Sequence, residues 1–405
     1  MQSSYSLFDR IRASEIELGE LHWLLLQRFK GAMQPTPDEV VYPGHPTQYS
    51  VKICLGKVGI KDVLQGPNLD TADIDSLQSQ IISELLAPIE TRIANVILFS
   101  HLPVDGWYRY RDCFQILPIA DTAPRPTFLL ADHPFVLQFR FPTSSNWSIR
   151  NFRRSARQGQ LVSVLGALLA GSVWSLSETG DHRWTVLSDE VGIPLRTEYL
   201  PVGYICPGFV AESDEFSAVD GLRNLPRRSH HEYFFSWGLS GESCFEVPES
   251  LDGLLDGFYN LPADHREQFL RASYWFELAR THYTSSRSAT FAALISSIET
   301  LMPSKEKSSA CKECGQSLGK STTQRFVDFV EQMAPSADGI AKARKELYRV
   351  RSTLLHGGRL LDSDRVGICP ALGLASEFEN MNYAQRLGRL VLANWLAATS
   401  GILIA

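Results

Sequence analysis

The sequence predicts an α+β N-terminal domain followed by an all-α antiparallel helical bundle. Before about residue 246, apolar residues gather in short β-branched and aromatic runs broken by proline and glycine, with a few helical stretches between them. After it, five successive stretches carry apolar residues at three- and four-residue spacing with short connections. A chain of 405 residues with 44% hydrophobic content has the length and apolar content for two domains, expected at 1–246 and 247–405.

In the first half, Ser14 is placed to cap a helix through Leu18, Leu21, Leu24, Leu25 and Phe29, with Glu17 in capping-box position. Tyr49 to Leu55 reads as a strand. Asp70 to about Leu86 reads as a helix with Ile74, Leu77, Ile81 and Leu85 on one face. Ile93 to Ser100, Cys113 to Ile119, Pro134 to Phe141 and Trp184 to Ser188 are strand candidates. Arg150, Arg153, Arg154 and Arg157 fall on one face of a helix that runs on into Leu161–Ala170. That face is either a solvated helix start or a surface for phosphate or RNA. A second basic group, Arg223, Arg227, Arg228, His230 and His231, reads as a surface loop.

In the second half, one helix opens at Asp264 and a second at Ser286 or Ser288. A third opens at Thr322 or Thr323, and a fifth spans Ser376 to Thr399. The fourth is Leu347-Tyr348-Arg349-Val350-Arg351-Ser352-Thr353-Leu354-Leu355-His356-Gly357-Gly358 with the residues leading into it. Its periodicity puts Ile340, Ala343, Leu347, Val350 and Leu354 towards the core and Arg351 at the edge of that stripe. Gly357 is a natural C′ residue, so His356 stands where the helix ends. From Ile340 to Arg359 the charges are Lys342, Arg344, Lys345, Arg349, Arg351 and Arg359 against Glu346 alone, in a chain that is −6 overall. Such local positive density suits an anionic partner. Arginine offers a permanent cation with a donor fork for phosphate, and histidine a proton exchanged near neutral pH.

The block LYRVRSTLLHGGRLLDSD, with the lead-in VPESLDGLLDGFYNLP and the helix SRSATFAALISSIETLM, resembles the Apea-like members of the HEPN superfamily over about residues 247–405. The resemblance implies a helical bundle with an R-x4-H motif and a metal-independent endoribonuclease whose composite site forms in a homodimer. Arg351 would then hold the phosphate and His356 transfer the proton. Apea-like proteins commonly carry a glutamate where Glu299 stands, and it would orient Arg351 or Arg349. Arg349, Tyr348 and Ser352 become RNA-contact candidates. Many active members have Asn, Asp or His directly after the arginine, where this chain has Ser352. The implied role is an RNA-cleaving toxin or anti-phage abortive-infection effector, with the N-terminal domain sensing or regulating. The alternative is a non-catalytic module for dimerisation and RNA or protein binding.

Cys311 and Cys314, two residues apart before Gly315, form half of a zinc knuckle inserted near 303–320. Cys369, Cys244, Cys206 and His282 are the possible further ligands, and a reduced pair without metal is the other reading. A structural zinc is thus possible, and the chemistry itself calls for no cofactor. Seven scattered cysteines argue against a disulfide framework. The start of the chain lacks the apolar run of a secretory signal, and Leu161 to Val173 is too short to span a bilayer. A cytoplasmic protein without membrane contact is expected. No G-x-x-x-x-G-K-[ST] loop and no G-x-S-x-G elbow occurs, which leaves NTPase and serine-hydrolase chemistry without a motif.

Overall fold

The computed structural model describes residues 16–43, 45, 47–56, 59–86, 90–119, 133–170, 173, 175, 184–188, 195–199, 210–235, 244–283, 285–304, 320–335, 341–365 and 374–402. An N-terminal region with antiparallel sheets leads into a largely helical C-terminal part.

The first described element is helix α1 (Leu18–Phe29), on a four-stranded antiparallel meander, β1 (Met33–Thr36), β2 (Glu39–Tyr42), β3 (Val51–Leu55) and β4 (Ile60–Gln65). Ser14 lies outside the described residues. The N-cap is Glu17, and it makes no side-chain cap bond. Helix α2 (Thr71–Ile81) starts on Asp70, whose carboxylate accepts from the Asp73 N–H at 2.8 Å, and continues as a π-helical turn, Ile82–Leu86. Leu21, Leu24 and Leu25 of α1 and Leu77 and Ile81 of α2 close a small core over Tyr42, Ile53 and Val63.

A second sheet follows, with strand order β11-β5-β8-β7-β6. Its centre is the ten-residue antiparallel pairing of β5 (Thr91–Ser100) with β8 (His133–Pro142), joined by β6 (Tyr108–Tyr110), β7 (Phe114–Pro118) and β11 (Glu212–Ser213). Phe135, Leu137, Phe139 and Phe141 alternate on one face of β8 and are fully buried. Helix α3 (Trp147–Leu168) opens on Asn146, which caps Ser148 and Ile149 N–H groups, and its apolar end helps to bury that face. Short elements complete this half: the hairpin β9 (Trp184–Ser188) and β10 (Leu195–Tyr199), then β12 (Arg227–Arg228), α4 (His230–Phe235) and β13 (Val247–Pro248).

The helical part comprises α5 (Leu251–Asn260), α6 (Ala263–His282), α7 (Arg287–Leu301), α8 (Thr322–Met333), α9 (Ala341–Leu355) and α10 (Leu374–Ser400). Five lie where the periodicity predicts them. The sixth, α5, was not among the expected helices, although Leu251, Leu254, Leu255 and Phe258 fall at i, i+3, i+4 and i+7 and are fully buried. Tyr108 and Tyr110 of the sheet donate to Asp252 and Asp256 of α5 at 2.8 and 2.5 Å. A single apolar core runs without a break from the five-stranded sheet through α3 into the helices.

At the seam of α3, α6 and α10, Arg280 binds Glu277 at 2.8 Å and the carbonyls of Gly166 and Val173 at 3.2 and 2.9 Å. Arg389 of α10 lies against Phe276. Burial pushes the Glu277 carboxyl up to about 7, against the pull of Arg280 and Arg389. In the unfolded chain that group titrates near its ordinary 4.5. Between those two values the folded chain holds a proton that the unfolded chain has released, so stability falls as pH rises through this window. Because one-fifth of the side chain is exposed, the full loss is at most about 3 kcal/mol. Urea unfolding from pH 5 to 8 should show a steeper decline for the wild type than for Glu277→Gln. Parallel curves would remove Glu277 as the cause.

Candidate functional site

The motif helix α9 sits rotated from its expected setting. Arg344, Leu347 and Tyr348 are buried, Ala343 is exposed, and Val350 and Leu354 are only half-buried. Arg344 can enter the interior because its charge is matched there: it pairs with Glu331, binds the Ala334 carbonyl at the end of α8 and reaches the Tyr383 hydroxyl at 3.3 Å. Two turns on from Arg344, Arg351 is half-buried, at the edge of the buried face as expected.

Arg351 forms an ion pair with Glu299 of α7, each side chain about one-fifth exposed. Tyr348 joins them, its hydroxyl donating to Glu299 Oε1 at 3.1 Å and its ring centroid 5.8 Å from the Arg351 guanidinium. Burial raises the Tyr348 pKa, with the Glu299 charge and hydrogen bond adding and Arg351 and Arg325 opposing. The Arg351 Nε–H is buried with no hydrogen-bond partner among the described residues. Of the two arginines that Glu299 was expected to orient, the partner is Arg351. Arg349 is largely exposed and forks onto Glu346 at 2.7 and 2.6 Å, holding that carboxyl below the usual range.

The end of α9 is a Schellman turn. Gly358 N–H donates to Thr353 O at 2.9 Å and Gly357 N–H to Leu354 O at 3.2 Å, with Gly357 at φ 70°. His356, the residue before that glycine, is exposed and has no side-chain partner among the described residues. Five residues along a helix amount to about 140° of rotation and about 7.5 Å of rise. The structure thus groups Arg351, Glu299 and Tyr348, and leaves His356, Arg349 and Ser352 outside that group.

Beyond the turn, Asp364 accepts from the Ser286 hydroxyl at 2.8 Å and from the Arg287 and Ser288 N–H groups at 2.9 and 2.7 Å, capping α7. Burial alone would raise its pKa; the hydrogen bonds from Ser288, Arg287 and Ser286 outweigh it and hold the carboxyl below its ordinary value. Glu377 of α10 accepts from the Asp362 and Ser363 N–H groups at 2.7 and 3.2 Å. These bonds fix residues 359–364 against α7, α9 and α10, and a cleft of about 210 Å³ opens among them. It was not read from the sequence, because its walls come from four separate segments.

The remaining candidates are scattered. Cys311, Cys314, Cys369 and Cys206 lie outside the described residues. Cys244 is a half-buried free thiol whose pKa burial raises, and among the described residues no three His, Cys, Asp or Glu side chains are grouped for a metal. The arginine face of α3 is matched internally rather than solvated or open to RNA. Arg150 and Arg154 pair with Glu212, Arg153 grips Glu20 through two 2.7 Å bonds, and Arg157 stacks 5.2 Å over the Tyr259 ring. Arg223 and Arg227 stand at the surface as expected, in exposed pairs with Asp105 and Asp252, and Arg228 is more buried against Glu246. Among the described residues no helix is long and apolar enough to cross a membrane. Comparisons of the chain with protein-family models, curated proteins and solved structures gave no match.

Proposed function

We propose that the helical region is a HEPN-type bundle and acts as a metal-independent endoribonuclease, with Arg351 holding the scissile phosphate and His356 moving the proton. The observation that carries this reading is the exposed His356, without a side-chain partner among the described residues, five positions beyond an arginine whose direction a carboxylate fixes. An imidazole held in water at a helix end can accept the 2′-hydroxyl proton and return one to the leaving 5′-oxygen. The guanidinium, part-buried between Glu299 and Tyr348, supplies charge where the phosphate becomes more negative. Arg351 and His356 point apart within one chain, so the working site is a composite of two copies related by a two-fold axis. Cys311 and Cys314 are the positions for a structural zinc. The N-terminal region would regulate a toxin or anti-phage effector in the cytoplasm.

The test is cleavage of end-labelled RNA by the purified protein in EDTA. Fragments ending in 2′,3′-cyclic phosphate and 5′-hydroxyl are expected, from a species that light scattering shows to be a dimer. Loss of cleavage in EDTA while the protein stays folded would rule the mechanism out.

A second reading is favoured by the Glu299–Arg351 pair itself. A guanidinium already matched by a carboxylate joins α7 to α9, and the bundle would then be a non-catalytic module for dimerisation and RNA or protein binding.

A further inference from the structure

We propose that the cleft beside α9 receives an adenine base, held at its edge by Asn380. The floor is apolar: Phe291 of α7, Val350 and Leu354 of α9, and Leu361. Its volume of about 210 Å³ lies below the roughly 300–1,000 Å³ of sites for drug-sized ligands, and suits a single flat ring system.

The rim decides which ring. Each carboxylate there is already engaged: Glu346 by Arg349, Asp362 by Arg359 and Arg365, and Glu377 by two backbone N–H groups. The Thr353 hydroxyl donates to the Arg349 carbonyl at 3.0 Å. Asn380 is different. It lines the cleft, is half-buried, and its amide makes no hydrogen bond with any described residue. A carboxamide presents one donor and one acceptor side by side. Adenine answers with its N6 amino group beside N7, the pairing by which Asn reads that base. Guanine offers two acceptors at the same edge and matches only half of it, but its O6 and N1–H also answer a carboxamide. Competition of GMP against AMP is therefore included in the test, and equal binding of the two overturns the adenine assignment. The pyrimidines have a donor–acceptor edge, but a single ring covers less of the apolar floor. Arg349 and Arg359, mostly exposed at the mouth, are placed for the phosphates of the same nucleotide.

The adenine could come from an RNA strand or from a free nucleotide. The proposal rests on the RNA reading above only in favouring the strand. The experiment measures binding of AMP, with GMP in competition, and of labelled rA8, rU8 and rC8 oligonucleotides to the full-length protein by calorimetry and anisotropy. Wild type should bind rA8 at least about tenfold tighter than rU8 or rC8. Asn380→Leu should bring the three within about twofold at an unchanged thermal midpoint, and Asn380→Asp, which loses the donor, should fall between them. Equal affinity for the three oligonucleotides, a preference that survives Asn380→Leu, or no binding of any adenine probe would overturn the proposal. AMP binding that depends on Asn380 without binding of rA8 would keep the adenine site and remove the RNA reading. An adenine preference without cleavage would keep the site and remove the nuclease.

Discussion

His356→Ala is expected to lower RNA cleavage roughly 10²- to 10⁴-fold, the range for a lost general acid–base group, with no change in thermal midpoint. The second half of that result follows from the structure. His356 is exposed and unpartnered among the described residues, and its backbone already serves the helix end through the N–H bond to Ser352 O at 3.1 Å. An alanine there removes chemistry without removing packing. Arg351→Ala is a less clean probe, because it leaves the Glu299 carboxylate part-buried beside Tyr348 and so also disturbs folding. The comparison of the two variants therefore separates the readings. If His356→Ala keeps full cleavage, the catalytic assignment is wrong. If the wild type cleaves nothing and only Arg351→Ala changes RNA binding, the binding module takes its place.

Arg153→Ala is expected to cost about 3–5 kcal/mol of stability, the largest effect of any single charge substitution in the N-terminal half. The Arg153 guanidinium is almost completely buried, donates twice to Glu20 and once to the Thr143 carbonyl at 3.0 Å, and so ties α1 to α3. Removing it leaves the mostly buried Glu20 carboxylate with no cation. The double variant Glu20→Gln with Arg153→Met keeps the volume and removes both charges, and should lose much less. Urea unfolding of the two proteins checks this. Equal losses would mean that packing rather than the uncompensated charge sets the cost.

The long elements were legible because their apolar residues keep one period throughout. Leu21, Leu24 and Leu25 of α1, the Phe135–Phe141 alternation of β8 and the run from Phe291 to Leu301 in α7 all appear where the spacing puts them. The setting of α9 was not legible. Periodicity assigns the interior to apolar residues, and Arg344 took a place there only because Glu331 and the Ala334 carbonyl, on another helix, meet its charge. Arg344 rather than Ala343 is the buried residue there, and Arg351, two turns on, is half-buried against Glu299. The arginine face of α3 failed for the same reason. Its partners, Glu20, Glu212 and Tyr259, are between 58 and 133 positions away along the chain, outside the reach of any local pattern. β1, β2 and β4 are four to six residues long, too short for an alternation to stand out.

The unbroken core across residue 247 restricts how any message could pass between the two halves. The aromatic side chains of β8, the end of α3 and the helices from α5 to α10 share one interior. A swinging lid or a released cap is therefore the wrong picture for control of α9. The bond from Arg280 to the Gly166 carbonyl ties α6 to α3 inside that shared interior. Splitting the chain at that residue would tear a greasy seam open on both pieces, and neither would stay in solution to be assayed.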